Sequence, residues 1–452
     1  MKAADFGETF YWGASVSAAQ VESAVDSDGK GPSIWDEFCK PYKRFWIKRH
    51  HIRHGHQLAD GPDFYNRYRH DIDLLKSMGF RHFRFSISWP RILPDGETVN
   101  AHGLQFYSSV IDYCLENGIT PWVTLYHWDL PQSLEVKGGW TNREVISWFR
   151  HFTRVCAISF PQVSNWMVLN EPSVFTGAGY FFGIHAPGKT GFGNFFRAMH
   201  HATLCIGEAY RLLKDINPSA NVGSTFSFTH VEGYGDSEIN RKAAAKADLL
   251  VNRMFLEPVI GMGYPFGEMR ILEKIREHMK KKDEDRLAVK LDFIGVQTYT
   301  REVFRHNPLN PFLNIKQVEA PRRTDKLTAM NWEIHPPAMY HILKKIDAYH
   351  CGVPLIITEN GIALDDKVSG GSVHDPLRME YYTSHLEQVK RAMDEGVDLR
   401  GYFAWSLMDN FEWAEGYYPR FGLVHIDFES KKRTLKDSGL WFRQFLTGEK
   451  NS

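Results

Sequence analysis

The sequence predicts an α/β protein: a (β/α)8 TIM barrel, with residues 1–452 forming a single domain that carries long βα loops. Three observations predict it. Eight short apolar runs, at 11–17, 81–87, 119–126, 165–170, 221–228, 292–299, 353–358 and 399–406, alternate with stretches that hold helical patterns. No low-complexity linker interrupts them. Polar or aromatic residues gather at the C-terminal ends of most of the runs, which is where such barrels build their sites. Repeated strand–helix alternation points to a closed parallel barrel, with an open doubly wound sheet as the structural alternative.

Taken in order, run one is followed by Gln20, and run two carries Arg84 with Trp89 just beyond. Between them, Phe64, Tyr65, Tyr68, Ile72, Leu75 and Met78 share one helical face over 63–78, and Gly79 follows as a stop. Leu104, Tyr107, Val110, Ile111, Cys114 and Leu115 do the same over 103–117, and Gly118 ends that helix. Run three leads into His127 and Trp128, and run four into Asn170 and Glu171. Run five ends at Phe228 and Thr229 without a clear role. Run six ends at Tyr299, run seven leads into Glu359, and run eight ends near Trp405, with Glu412 and Trp413 beyond. Long connections at 23–62, 171–193, 300–333 and 407–425 are expected to rim the same mouth as walls of a substrate crater.

Composition narrows the function. With 43% hydrophobic residues the chain can bury a large core, and 54 basic against 54 acidic side chains leave no basic excess for nucleic acid. The five cysteines, Cys39, Cys114, Cys156, Cys205 and Cys351, are odd in number and show no CxxC spacing, which favours reduced thiols and a cytoplasmic setting. Neither a signal-peptide core nor a membrane-length apolar stretch is expected. The basic, histidine-rich segment 43–56 lacks a carboxylate or thiol to complete a ligand set. It reads as a solvated loop bordering the outer substrate sites, and no metal is expected.

The chemistry rests on two glutamates. Glu171 follows Trp166-Met167-Val168-Leu169-Asn170, and Glu359 follows Val353-Pro354-Leu355-Ile356-Ile357-Thr358. A carboxyl group at the end of a buried strand is held rigidly beside solvent. Two that face each other can supply an acid and a nucleophile, the minimum for breaking a glycosidic bond.

The motifs around them resemble glycoside hydrolase family 1, the β-glucosidase family, over nearly the whole chain. The resemblance is carried by Phe10 to Glu22, Asp28 to Asp36, Phe83-Arg84-Phe85-Ser86-Ile87-Ser88-Trp89-Pro90-Arg91 and Leu125-Tyr126-His127-Trp128-Asp129-Leu130-Pro131. Asn170-Glu171-Pro172, Thr358-Glu359-Asn360-Gly361 and Trp405 to Trp413 complete it. It implies retaining hydrolysis of small-molecule β-glycosides or oligosaccharides, without a cofactor, and carboxyl groups roughly 5–5.5 Å apart. It also implies Glu171 as acid/base and Glu359 as nucleophile. Gln20, His127, Asn170, Glu412 and Trp413 would bind the sugar, Trp405 would lie under its ring, and Trp128 and Phe421 would complete the subsite. Arg84 is placed to hold Glu359 ionised, and Tyr299 to donate it a hydrogen bond.

Three positions depart from the family pattern: Gln297 stands for Asn, Ser173 for Trp and Ser23 for Gly. Glu412 would repel a phosphorylated sugar, and an acid/base glutamate at 171 separates the chain from thioglucosidase relatives, which carry glutamine there. A transglycosylase and a catalytically silent sugar-binding protein stay open as alternatives. The β-galactoside and β-fucoside ratios and a homo-oligomeric state are also open.

Overall fold

The computed structural model describes residues 1–44, 47–310 and 313–449. Eight parallel strands close a barrel: β1 (Tyr11–Ser15), β2 (His82–Ser86), β3 (Thr120–Tyr126), β4 (Asn165–Asn170), β5 (Asn221–Ser227), β6 (Phe293–Gln297), β7 (Leu355–Asn360) and β8 (Leu399–Trp405). Each pairs with the next in sequence, and β1 pairs with both β2 and β8. All eight strands fall within or against the eight expected runs. β6 and β7 are buried at every position, because parallel strands are covered by helices outside and packed side chains inside, so their sequences run apolar until they turn polar at the C-terminal ends.

The inside of the barrel is layered. Trp122, Met167, Phe293, Ile356 and Phe403, from β3, β4, β6, β7 and β8, form an apolar plug. Trp122 meets Phe293 and Phe403 at ring-centroid distances of 5.5 and 5.4 Å. Beyond it, towards the strand C-termini, the inward side chains turn polar.

The two helices read from periodicity form at Phe64–Ser77 and Ala101–Glu116. Gly79 (φ 87°) and Gly118 (φ 68°) follow them in the left-handed region that ends helices. Leu115 departs from the expected buried face. It is 43% exposed, while its neighbour Cys114 is fully buried, because one residue further along a helix rotates the side chain by about 100°. Trp89 also lies away from the mouth: it stacks on Phe152 at 4.9 Å in the shell behind the strands.

The long connections carry structure of their own. Arg301–His306 pairs with His230–Gly233 and with Ile315–Gln317 in a three-stranded sheet. Tyr42–Arg44 and Ile47–Arg49 form an antiparallel hairpin in the basic segment. Phe45 and Trp46 of that segment, and residues 311 and 312 of the connection 300–333, lie outside the described residues. All five cysteines are free. Among the described residues, no helix is long and apolar enough to cross a membrane.

Candidate active site

Arg84, fully buried on β2, is the hub of the barrel mouth. Its Nε donates to Thr124 Oγ1 (3.2 Å) and lies 3.0 Å from Met167 Sδ, while Nη1 donates to the Glu359 carboxylate and to the Thr358 carbonyl (3.2 Å). Nη2 donates to Asn170 Oδ1 at 2.6 Å. One guanidinium therefore fixes the end of β4, which precedes Glu171, against the carboxylate of Glu359 on β7.

Asn170 is fixed in turn. Its Oδ1 also accepts from Thr225 Oγ1 (3.0 Å) and Gln297 Nε2 (2.8 Å), so the amide has one orientation and Nδ2 faces His127 Nε2 at 3.0 Å. His127 must then carry its proton on Nδ1. That nitrogen is buried and has no partner among the described residues. Burial, and then the charge of Arg84, push the His127 pKa well below 6.5, so the ring is neutral and its Nδ1–H is a donor with no partner among the described residues.

Glu171 turns the chain from β4 into the short helix Pro172–Thr176 with φ 46°. A left-handed glutamate costs on the order of 1–3 kcal/mol, a kind of strain that clusters at functional sites. Its N–H donates to the Thr225 carbonyl at 3.0 Å.

The two carboxyls feel each other but sit in different fields. Burial first, then the charge of Glu359, push Glu171 well above the ordinary carboxylate range; a hydrogen bond with Ser227 and the more distant Arg84 offset only part of this. Burial raises Glu359 too, but the charge and hydrogen bond of Arg84 pull it back, followed by Tyr299 and Gln297. Tyr299 donates to Glu359 Oε2 at 2.7 Å. Glu359 has a cation in contact and Glu171 does not, so Glu359 ionises first and Glu171 keeps its proton.

The remaining groups line the same mouth. Gln20 spends both amide hydrogens on Asn410 Oδ1 (3.0 Å) and the Phe411 carbonyl (2.8 Å), and its Oε1 accepts from Ser17 Oγ (2.6 Å). It can only accept from a further hydroxyl. Glu412 Oε2 is buried and has no partner among the described residues. Burial, then the charges of Glu359 and Glu415, push its pKa up to about 8. Trp413 packs between Trp128 (4.5 Å) and Trp35 (4.6 Å). Trp128 donates its indole N–H to the Asn170 carbonyl (2.9 Å), so it supports the strand end and offers only its ring. Trp405 and Phe421 pack together with Ala363, and Trp405 faces His127 at 5.9 Å. Apart from Trp89, the residues singled out from the sequence thus gather at the C-terminal end of the barrel strands. Among the described residues, no cluster of three or more His, Cys, Asp or Glu side chains could hold a metal ion.

The sequence pattern of Glycosyl hydrolase family 1 matches residues 2–451. The chain belongs to this family. Among its relatives, Beta-glucosidase A of Thermotoga maritima is 40% identical over 449 residues, covering 98% of each chain. A 1,4-beta-D-glucan glucohydrolase of Thermotoga neapolitana is 39% identical, again over 98% of each. Among solved structures, the AHE enzyme from Alicyclobacillus herbarius superposes with a TM-score of 0.93 at 38% identity, covering 98% of this chain and 99% of that one. The Thermotoga maritima family 1 glycoside hydrolase complexed with a cyclophellitol analogue transition state mimic superposes with a TM-score of 0.91 at 39% identity, over 98% of each chain.

Within this family 1 barrel, sequence reasoning missed the contribution of β5. Thr225 holds Asn170, and Ser227 lies against Glu171. The signal was the spacing of two in Gly223, Thr225 and Ser227, which puts all three on one face of the strand. Trp332, from the connection 300–333, was missed too; it lies 5.6 Å from Tyr299 and 6.2 Å from Phe421.

Proposed function

We propose that this chain is a retaining β-glucosidase that removes terminal non-reducing β-D-glucosyl residues by double displacement. The observation that carries the reading is the asymmetry of the carboxyl pair: Glu359 in contact with Arg84 and Tyr299, Glu171 buried without a cation. Glu171 protonates the departing oxygen as the Glu359 carboxylate attacks the anomeric carbon. The bond to the aglycone breaks, and a glucosyl ester forms on Glu359. Glu171, now ionised, takes a proton from water, which attacks the same carbon and releases glucose with its configuration retained.

His127 donates to a sugar hydroxyl, while Gln20 accepts from one. Glu412 serves the hydroxyls on its side, and the Trp405 ring lies beneath the sugar. The names of the relatives support a glucoside over other glycosides. Five free cysteines, four of them buried, suit a reducing, cytoplasmic setting.

A panel of chromogenic β-glycosides tests the reading. The wild type should prefer the β-glucoside and release β-glucose first, as followed by NMR, and Glu359→Ala should be silent. A wild type inactive on the whole panel, or an α-anomer released first, would refute it.

A further inference from the structure

Behind the sugar platform lies a buried ionic network that no catalytic step uses. Lys436, fully buried, immediately precedes the helix Asp437–Thr447. Its ammonium donates to two aspartates from two different mouth loops. One is Asp366, a few residues after Glu359; the other is Asp409, between Trp405 and Glu412, at 2.7 Å. Asp409 is fully buried and saturated: it also accepts from Arg420 Nη1 (2.6 Å) and from the N–H groups of Gly422 (3.0 Å) and Ile426 (3.3 Å). Arg378 donates to Asp366 (2.7 Å), to the Arg420 carbonyl (2.7 Å) and to Asp375. Lys436, Arg378 and Arg420 thus balance Asp366, Asp375 and Asp409.

The loops so joined are also zipped by backbone. Leu364 and Arg420 exchange two hydrogen bonds of 3.1 Å, and a Cβ on Gly361 would lie 1.8 Å from the Trp405 carbonyl. The loop after the nucleophile strand and the loop carrying the sugar-binding groups therefore touch, and among the described residues Lys436 is the single side chain that pairs with a carboxylate from each. Taking three cations and three anions out of water is costly unless each is paired in good geometry, so the cluster holds one arrangement and resists others.

Resting on the functional reading above, we propose that Lys436 is a positioning residue. Its ammonium bridges Asp366 and Asp409 and so sets the spacing between Glu359 and the Trp405–Glu412–Trp413 clamp. It touches neither substrate nor the reacting carboxyls, so it governs how well a glucose-shaped ligand fits and leaves the ionisation of Glu171 and Glu359 unchanged.

The test uses the full chain and the iminosugar deoxynojirimycin, with binding measured by calorimetry, which needs no turnover. Lys436→Met/Asp366→Asn removes one charge of each sign. It should melt cooperatively yet bind deoxynojirimycin at least tenfold more weakly, with KM for an aryl β-glucoside rising in step and the pH limbs of kcat unmoved. Lys436→Arg should recover most of the affinity. Asp366→Asn alone cuts the bridge at the nucleophile end and leaves Lys436 paired with Asp409. It should show the same rise, and it carries the test if the double variant does not fold. Affinity and KM within twofold of wild type in a folded variant would overturn the inference, as would a shift of the pH limbs that accounts for the loss. A wild type that neither hydrolyses glucosides nor binds the iminosugar would instead remove the functional reading, and this inference with it.

Discussion

Tyr299 donates its phenolic hydrogen to Glu359 Oε2 at 2.7 Å, on the carboxylate oxygen that Arg84 leaves free. The two donors come from β2 and from just beyond β6, so the orientation of Glu359 depends on the closure of the barrel. Tyr299→Phe removes a contact that lowers the Glu359 pKa, so that pKa should rise. The acid limb of kcat/KM, which requires ionised Glu359, should move to higher pH. A hydrogen bond to a charged group contributes about 1.5–3 kcal/mol, so kcat/KM should drop about 10–100-fold at the optimum. An unmoved acid limb would mean that the phenol does not bear on ionisation.

Glu171→Ala separates the two halves of the reaction. General acid/base catalysis is worth about 10²–10⁴-fold, so unactivated glucosides should lose that much. An aryl glucoside with a good leaving group needs little protonation and should still form the glucosyl ester, which then accumulates. Azide needs no base and should enter the space vacated by the carboxyl, restoring turnover and giving β-glucosyl azide as product. Failure of azide to raise the rate would remove Glu171 from the acid/base role.

The barrel was legible because its strands are buried on both faces, so their sequences stand out as apolar runs bounded by turn chemistry. The site was legible where one residue type does one task at a strand end, as with Glu171, Glu359 and Arg84. What stayed hidden depends on neighbours far away in the chain. The proton on His127 Nδ1 follows from three donors to Asn170 Oδ1, which lie on β2, β5 and β6. Thr225 and Ser227 look like ordinary strand residues until β4 is beside them. Gln20 reads as a sugar-binding amide, yet Asn410 and Phe411, nearly four hundred residues away, use both of its N–H groups.

Esterifying Glu359 removes a negative charge that helps to raise the Glu171 pKa. In the trapped 2-deoxy-2-fluoroglucosyl enzyme, Glu171 should therefore titrate at lower pH than in the free enzyme. Carbon-13 NMR of labelled glutamate side chains would show it. Burial, the larger cause, persists in both states, so the pKa should fall without returning to the value of an exposed glutamate. Equal titration in the two states would leave Glu171 without the change of role that the second step requires.

Glu412 connects the site to stability. Its folded pKa of about 8 stands above the ordinary value of 4.5, so between these two pH values the native state holds a proton that the unfolded chain releases. Stability from this group is therefore fully present below about pH 4.5 and is lost as pH rises towards 8. Glu412→Gln keeps a neutral group of the same shape and removes the slope. Urea midpoints should match wild type near pH 4, and the variant should be more stable by about 4 kcal/mol near pH 8. Above pH 8, where wild-type Glu412 is ionised, the same variant should bind glucosides less well, because an amide accepts from a sugar hydroxyl more weakly than a carboxylate. A stability difference between variant and wild type that is the same at both pH values would show that Glu412 is already ionised in the folded enzyme, and that the free energy of burying its charge is met by a partner within the site.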